Sequence, residues 1–214
     1  MKPKNIDYTL CLVTDRELAR GRPTSDIVEA AVYGGASCVQ LREKIGSTRE
    51  FIEQALAIRD FLRIRDIPLI INDRLDVALA VGADGVHFGQ NDMPLAMARS
   101  IVKDAMIIGI SANSLEDAVA AEKGGADYLG VGPIYATPTK TDTAPILGLD
   151  GLRKIRKNIK IPLVTIGGLN RSNATQVIRN GADGIAVVSA IVGAEDPEKA
   201  SRDLMNTIQL VKAE

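Results

Sequence analysis

Residues 125–131 of the chain are Gly-Ala-Asp-Tyr-Leu-Gly-Val, a small-residue turn followed at once by a short apolar run. Related triplets precede three other apolar runs, at residues 35–37, 82–84 and 181–183. Glycine can end the preceding helix in a left-handed conformation, and alanine is small enough to pack tightly under the incoming strand. The repeat therefore predicts turns that join a helix to a strand. It reports architecture and not chemistry.

Eight apolar runs recur along the chain. They cover residues 10–13, 38–41, 68–71, 85–88, 106–110, 128–131, 162–166 and 184–188. Runs with so little polar alternation are typical of strands buried on both faces of a parallel sheet. Helix-like stretches lie between them, including 48–64, with apolar residues at helical spacing, and 114–122, which opens with a good N-cap residue. The alternation predicts an α/β fold, a single (β/α)₈ barrel that occupies residues 1–214 as one catalytic domain.

Composition narrows the possible partners. Lys and Arg total 26 and Asp and Glu total 27, so the formal net charge is -1 and favours neither nucleic acid nor an anionic membrane as a partner. Cys11 and Cys38 each sit inside an apolar run, where we expect buried, reduced thiols that suit a reducing cytosol. The first seven residues lack the apolar stretch of a signal peptide, and no run approaches the roughly 18 apolar residues of a membrane span. We expect a cytoplasmic protein that acts on small molecules, and a homo-oligomer is left open.

Polar residues concentrate just after the strands. In a (β/α)₈ barrel the active site forms at the carboxyl ends of the strands, so these positions are the candidates for chemistry. They include Arg42, Glu43 and Lys44 after the second run, Asn72 and Asp73 after the third, Asp92 after the fourth, and Ser111 after the fifth. Thr137, Pro138, Thr139 and Lys140 follow the sixth run, Gly168 the seventh and Ser189 the eighth. A barrel with only a structural role has no need for this asymmetry.

Asp73 and Asp92 follow neighbouring strands, so their carboxylates can converge on one point. Two carboxylates, together with oxygens of a bound ligand and water, suit Mg²⁺, which prefers oxygen ligands and retains several waters. The alternative is that Asp73 caps a helix and Asp92 lies in a solvated loop. Their matching positions favour the metal.

Two anion sites are predicted at the same end of the barrel. Arg42, Lys44 and Lys140 would supply positive charge to the first, where arginine offers a two-pronged contact to phosphate and lysine a mobile point charge. Lys140 lies in the long irregular segment 132–149, and loops of that length are usually functional. Gly168 and the Val188-Ser189 pair predict the second, because barrels often bind phosphate with the loops after strands seven and eight.

Other kinds of chemistry find little support. His87, the only histidine, lies within the fourth predicted strand and is interpreted as a packed or supporting residue. No Ser/His/Asp set at strand ends and no Cys-x-x-Cys pair is present, which argues against a hydrolase triad and against zinc chemistry.

Read in order, these segments resemble the thiamine phosphate synthase family. The resemblance rests on residues 13–15, 40–44, 71–74, 83–92, 130–134, 137–140, 166–168 and 188–191, which span nearly the whole chain. It implies a pocket for hydroxymethylpyrimidine diphosphate formed by Gln40, Leu41, Arg42, Glu43, Lys44, Asn72, Ser111 and Lys140. It implies Mg²⁺ ligation by Asp73 and Asp92. It also implies a thiazole phosphate site formed by Thr137, Pro138, Thr139, Gly168, Val188 and Ser189.

The mechanism that the resemblance implies is dissociative. Diphosphate leaves the pyrimidine methylene with help from Mg²⁺ and the cationic side chains, and the thiazole nitrogen then attacks. Arg42, Lys44, Ser111 and Lys140 would be the catalytic residues. Two alternatives remain: a thiazole tautomerase, whose relatives typically carry a histidine just after the serine of the fifth strand, and a non-catalytic thiazole phosphate-binding protein. Here Ala112 and Asn113 follow Ser111, and both carboxylates are present, which favours the synthase.

Overall fold

A computed structural model describes residues 6–137 and 145–213. Within these ranges eight parallel strands close into a barrel in chain order, with the last strand paired to the first. The strands are β1 (Leu10–Val13), β2 (Cys38–Leu41), β3 (Leu69–Asn72), β4 (Gly85–Phe88), β5 (Ile107–Ala112), β6 (Tyr128–Val131), β7 (Leu163–Thr165) and β8 (Gly184–Val187). The predicted (β/α)₈ fold is confirmed, and β1, β2, β4 and β6 have the predicted bounds.

Helices follow the strands around the outside of the barrel. They are α1 (Thr24–Tyr33), α2 (Thr48–Arg63), α3 (Leu75–Val81), α4 (Leu95–Val102), α5 (Leu115–Lys123), α6 (Gly148–Asn158), α7 (Ala174–Arg179), α8 (Ser189–Val192) and α9 (Pro197–Lys212). The predicted cap of α5 is confirmed, because the Ser114 hydroxyl accepts a hydrogen bond from the Asp117 amide at 3.0 Å. None of these helices, in the part of the chain that the structure describes, is long and apolar enough to cross a bilayer.

Each strand divides its side chains between two cores. Leu10 and Leu12 of β1 belong to the large cluster between the sheet and the helices. Cys11 and Val13 belong to a smaller cluster inside the barrel, which also holds Tyr128 of β6. Because successive side chains of a strand point to opposite faces, this alternation decides which residues after each strand can face the barrel axis.

The Gly-Ala repeat marks the amino-terminal rim of the barrel, defined here by its third residues Ser37, Asp84, Asp127 and Asp183. The Asp127 carboxylate accepts a hydrogen bond from the Ile108 amide at 2.8 Å, and its own amide donates to the Ile108 carbonyl at the same distance. Equivalent pairs of bonds join Ser37 to Leu10, Asp84 to Leu69 and Asp183 to Leu163. Glycines 35, 82, 125 and 181 all have positive φ, between 63° and 101°, as the turn interpretation predicts. The repeat thus ties each incoming strand to its neighbour.

Candidate active site

A cavity of about 610 Å³ opens at the carboxyl ends of the strands. We call this end the carboxyl rim. The cavity brings together most of the side chains predicted from the sequence: Gln40, Arg42, Lys44, Asn72, Asp73, Asp92, Ser111, Thr137, Gly168, Val188 and Ser189 all line it. Pro138, Thr139 and Lys140 lie outside the described residues. The two predicted anion sites and the predicted metal site therefore share one cavity.

The side chains of Leu41 and Glu43 do not line this cavity, so their part in the pyrimidine pocket stays a prediction. Strand alternation turns Leu41 outward into the core beneath the helices, where it is fully buried. The Glu43 carboxylate instead organises its own loop, accepting hydrogen bonds from the amides of Ile45 at 2.8 Å and Gly46 at 3.2 Å and pairing with Arg16 at 2.7 Å. Burial opposes ionisation of Glu43, but these contacts together lower its pKa. Its side chain supports the loop that carries Arg42 and Lys44.

Asp73 occupies an unusual backbone position directly after β3. Its φ is 62°, in the left-handed region, and its amide donates a hydrogen bond to the carbonyl of His87 in β4 at 2.8 Å. The residue before α3 is Arg74, so Asp73 does not cap that helix. This conformation, uncommon for a residue other than glycine, directs the carboxylate to the cavity, where it pairs with the Lys44 ammonium.

Asp92 meets Asp73 from the next strand. Its carboxylate accepts a hydrogen bond from the Gly89 amide at 2.7 Å, which folds residues 89–92 back over the end of β4. Burial raises the pKa of Asp73, the Lys44 ammonium lowers it, and the nearby Asp92 carboxylate raises it again; the net shift is upward. The raised pKa of Asp73 therefore reports chiefly a carboxylate withdrawn from water, and the second carboxylate beside it adds to the shift.

Arg42 is held by the loop that follows β1. Its guanidinium pairs with Asp15 at 2.8 Å, and its amide and carbonyl both bond the Thr14 hydroxyl, at 2.9 and 3.2 Å. The Asp15 carboxylate also accepts a hydrogen bond from the Leu18 amide at 3.0 Å, which fixes its own position. The sequence analysis assigned no role to Asp15, although its position two residues after the end of β1 could have indicated one.

The residues predicted to form the second anion site lie at the ends of β7 and β8. Gly167 and Gly168 have φ of 101° and 64°, a conformation that favours glycine. A methyl group at Gly168 would lie 2.6 Å from the carbonyl oxygen of Ala136, so the backbone approach there requires the absence of a side chain. Asn173 holds the turn by donating to the Gly168 carbonyl at 2.9 Å, and α8 begins at Ser189, on the same cavity wall.

The floor of the cavity is polar, which the sequence did not indicate. His87 bonds the Tyr128 hydroxyl through Nδ1 at 2.9 Å and the Ser111 hydroxyl through Nε2 at 3.0 Å. Gln90 donates to the Ser111 carbonyl, and Gln40 bonds the Tyr128 hydroxyl. His87 is therefore a supporting residue, as predicted, but one that contacts a predicted site residue. Tyr128 begins a strand, far along the chain from the other groups, and no local pattern pointed to it.

Together these features define a (β/α)₈ barrel whose cavity has carboxylates and cations on one side and a glycine turn on the other. The family model described as "Thiamine monophosphate synthase" matches residues 10–191. The chain belongs to this family and is a transferase, and the resemblance predicted from the motifs is confirmed.

Relatives in several bacteria support the assignment. The thiamine-phosphate synthase of Chloroflexus aurantiacus is 54% identical over 207 residues, which is 97% of this chain and 95% of the relative. The enzyme of the same name from Albidiferax ferrireducens is 54% identical over 202 residues, 94% of this chain and 92% of the relative.

Solved structures agree with both the fold and the family. A thiamine phosphate pyrophosphorylase from Pyrococcus furiosus superposes with a TM-score of 0.89 at 45% identity, covering 96% of this chain and 97% of that one. A 3-hexulose-6-phosphate synthase superposes with a TM-score of 0.69 at 17% identity, covering 93% of this chain and 99% of that one. At that identity the second likeness shows the fold alone.

Proposed function

We propose that this chain joins hydroxymethylpyrimidine diphosphate to a thiazole phosphate, releasing diphosphate and forming thiamine phosphate. One observation carries the proposal beyond family membership: Asp73 and Asp92 approach each other beside Lys44 in the same cavity as the Gly168 turn. A diphosphate needs a cationic site and a phosphate monoester needs a second one. The cavity offers candidates for both.

The donor set fits Mg²⁺. Asp73 and Asp92 present carboxylate oxygens from neighbouring strands, the ligand type that Mg²⁺ prefers, and their proximity leaves negative charge that a divalent cation would neutralise. Mg²⁺ keeps several waters and takes substrate oxygens as ligands, so one or two carboxylates are enough from the protein. When bound, Mg²⁺ would stabilise negative charge on the departing diphosphate.

The chain's own cations act on the same leaving group. As the bond between the pyrimidine methylene carbon and the diphosphate oxygen breaks, both electrons go to the oxygen, so negative charge grows there. Arg42 and Lys44 lie on the cavity wall and bind that charge more strongly in the transition state than in the ground state. Lys140 is proposed to join them. Positive charge left on the methylene is delocalised by the aminopyrimidine ring, and the lone pair of the thiazole nitrogen forms the new carbon–nitrogen bond.

The thiazole phosphate is proposed to bind opposite these cations. Gly168 allows its backbone to approach a phosphate closely, and Val188 and Ser189 lead into α8 at the same wall. Thr137 lines the cavity nearby, and Pro138 and Thr139 are proposed to continue this site. We assign the reaction to the cytoplasm, supported by the two buried free thiols of Cys11 and Cys38, and to a single catalytic domain.

The deciding experiment mixes both substrates with Mg²⁺ and measures diphosphate release. Release from the pair, and none from the pyrimidine diphosphate alone or after removal of Mg²⁺ with EDTA, is the expected result. Conversion of the thiazole compound without any pyrimidine diphosphate would instead indicate a tautomerase. Tight binding of thiazole phosphate with no release from the pair would indicate a binding protein.

A further inference from the structure

A polar chain crosses the interior of the barrel beneath the cavity. It runs from Gln40 in β2 to the Tyr128 hydroxyl, from there to Nδ1 of His87 at 2.9 Å, and from Nε2 of His87 to the Ser111 hydroxyl at 3.0 Å. His87 is 7% exposed and Tyr128 3%, so water has little access to these bonds. The hydrophobic surroundings make each of them costly to leave unmade.

Two glycines make room for this chain. A methyl group at Gly109 would lie 2.2 Å from Tyr128 and 2.5 Å from Nδ1 of His87, and one at Gly130 would lie 2.8 Å from the His87 ring. Real side chains do not approach so closely, so β5 and β6 must carry glycine where the two rings sit. Glycine at these two positions thus lets the two rings lie side by side against β5 and β6.

The chain has a direction. A neutral imidazole donates from one nitrogen and accepts at the other, so the two bonds of His87 run in the same direction along the chain. If the Tyr128 hydroxyl donates to Nδ1 of His87, the ring carries its proton on Nε2 and donates to the oxygen of Ser111. The Ser111 hydroxyl proton is left to point into the cavity.

We propose that His87 is a positioning residue that fixes Ser111 as a hydrogen-bond donor to an acceptor atom on the bound heteroaromatic ring. The inference rests on the proposed function for the identity of that ring, an aminopyrimidine. His87 itself touches no substrate. It acts through Ser111, and Gln40 and Tyr128 set its tautomer.

The first test needs no turnover. His87 is the only histidine in the chain, so ¹⁵N NMR of protein labelled at histidine and made without a histidine tag gives signals from this ring alone. The expected spectrum shows a bare Nδ1 and a protonated Nε2. Tyr128→Phe should move mainly the Nδ1 signal, and Ser111→Ala mainly the Nε2 signal. The opposite tautomer, or a ring protonated on both nitrogens, would overturn the proposal even if the enzyme were active.

The second test uses two variants of one residue. Asparagine at position 87 places a polar atom near Nδ1 and keeps the Tyr128 contact, whereas glutamine reaches the place of Nε2 and keeps the Ser111 contact. We expect His87→Asn to lower kcat/KM for the pyrimidine diphosphate about tenfold more than His87→Gln, the scale of one hydrogen bond, with the Kd for thiazole phosphate within about twofold in both. Equal losses in the two variants would show a merely structural role.

A double-mutant cycle tests whether His87 acts through Ser111. In the Ser111→Ala background, His87→Asn should cost no more than about a further twofold, because the group through which it acts is already gone. Losses that multiply in the double variant would contradict the proposal. Diphosphate release by the unmodified enzyme reports separately on the proposed function, so the two failures are distinguishable.

Discussion

Aspartates occupy both rims of the barrel, and their surroundings are opposite. At the amino-terminal rim the Asp127 carboxylate is satisfied within the fold, by the Ile108 amide at 2.8 Å and by Arg99 at 2.6 Å. At the carboxyl rim Asp73 lies beside a second carboxylate, Asp92. It pairs with a single lysine, Lys44, which also lines the cavity. The first arrangement completes a strand junction. The second leaves charge for a ligand.

The difference shows that acidic residues stabilise the fold at the amino-terminal rim, whereas at the carboxyl rim they serve function at a cost in stability. Each aspartate of the amino-terminal repeat follows a glycine turn and faces a strand amide, and Arg156 pairs with Asp183 at 2.9 Å just as Arg99 does with Asp127. Asp73 instead adopts a left-handed backbone conformation and has a raised pKa. Strained conformations and unneutralised charge are typical of functional sites.

The largest expected effect comes from substituting the aspartates of the carboxyl rim, and it is on turnover. Asp73→Asn and Asp92→Asn should each lower kcat by at least about 10²-fold, the scale of losing a major electrostatic stabiliser. Rates of diphosphate release over a range of Mg²⁺ concentrations measure the loss. Asp127→Asn is the matched control on the other rim, and its kcat should stay within about twofold of the unmodified protein. Near-normal turnover of both cavity variants at limiting Mg²⁺ would refute the proposed metal ligands.

The next effect concerns the geometry of the diphosphate contacts. Arg42→Lys keeps the positive charge but loses the planar, two-pronged donor that Asp15 holds in place at 2.8 Å. We expect kcat/KM for the pyrimidine diphosphate to fall about tenfold. Arg74→Lys is a suitable comparison, because Arg74 follows Asp73 in the chain but does not line the cavity. A loss of equal size in both variants would argue against a specific role for Arg42.

The sequence predicted the barrel because its determinants are local. Each apolar run and each Gly-Ala turn can be recognised within a few residues, and the topology of parallel β/α units leaves few alternatives. The same rule placed Asp73, Asp92 and Arg42 at one rim. It did not show which way the side chains of Leu41 and Glu43 point, because a motif names consecutive residues whereas a strand directs them to opposite faces. Nor could it find the bond between His87 and Tyr128, which depends on how closely β4 and β6 approach across β5.

A smaller effect, on stability, is expected at the amino-terminal rim. Asp127→Asn removes the ion pair with Arg99 and weakens the bond from the Ile108 amide, both partly buried. The free energy of unfolding should fall by about 1–2 kcal/mol, the scale of a charge-assisted hydrogen bond. For a chain of this size that corresponds to a Tm lower by about 2–8 °C in calorimetry. A Tm within about 1 °C of that of the unmodified protein would mean that the repeat contributes little.

The smallest effect is on the stability of Asp73→Asn, and its sign is opposite to that expected for Asp127→Asn. Burial, opposed by Lys44 and reinforced by Asp92, raises the folded-state pKa of Asp73 above the ordinary aspartate value of about 3.9. The native state therefore binds this proton more tightly than the unfolded chain does. The resulting stabilisation is complete below about pH 3.9 and is lost as the pH rises through the folded-state pKa. An asparagine side chain has no such titration, so Asp73→Asn should become more stable relative to the unmodified protein as the pH rises towards neutrality.

The measurement is the Tm of Asp73→Asn and of the unmodified protein from about pH 4 to pH 7, in EDTA so that no cation holds the carboxylates together. We expect the two Tm values to be nearly equal at about pH 4. As the pH rises, the Tm of the variant should exceed that of the unmodified protein by on the order of 1 °C, and the difference should then level off. Asp127→Asn, measured alongside, should stay below the unmodified protein at neutral pH. If both variants were less stable than the unmodified protein at neutral pH, the aspartates of the carboxyl rim would stabilise the fold just as those of the amino-terminal rim do. The raised pKa of Asp73 argues against that outcome, because a carboxylate that its surroundings stabilised would have a lowered one.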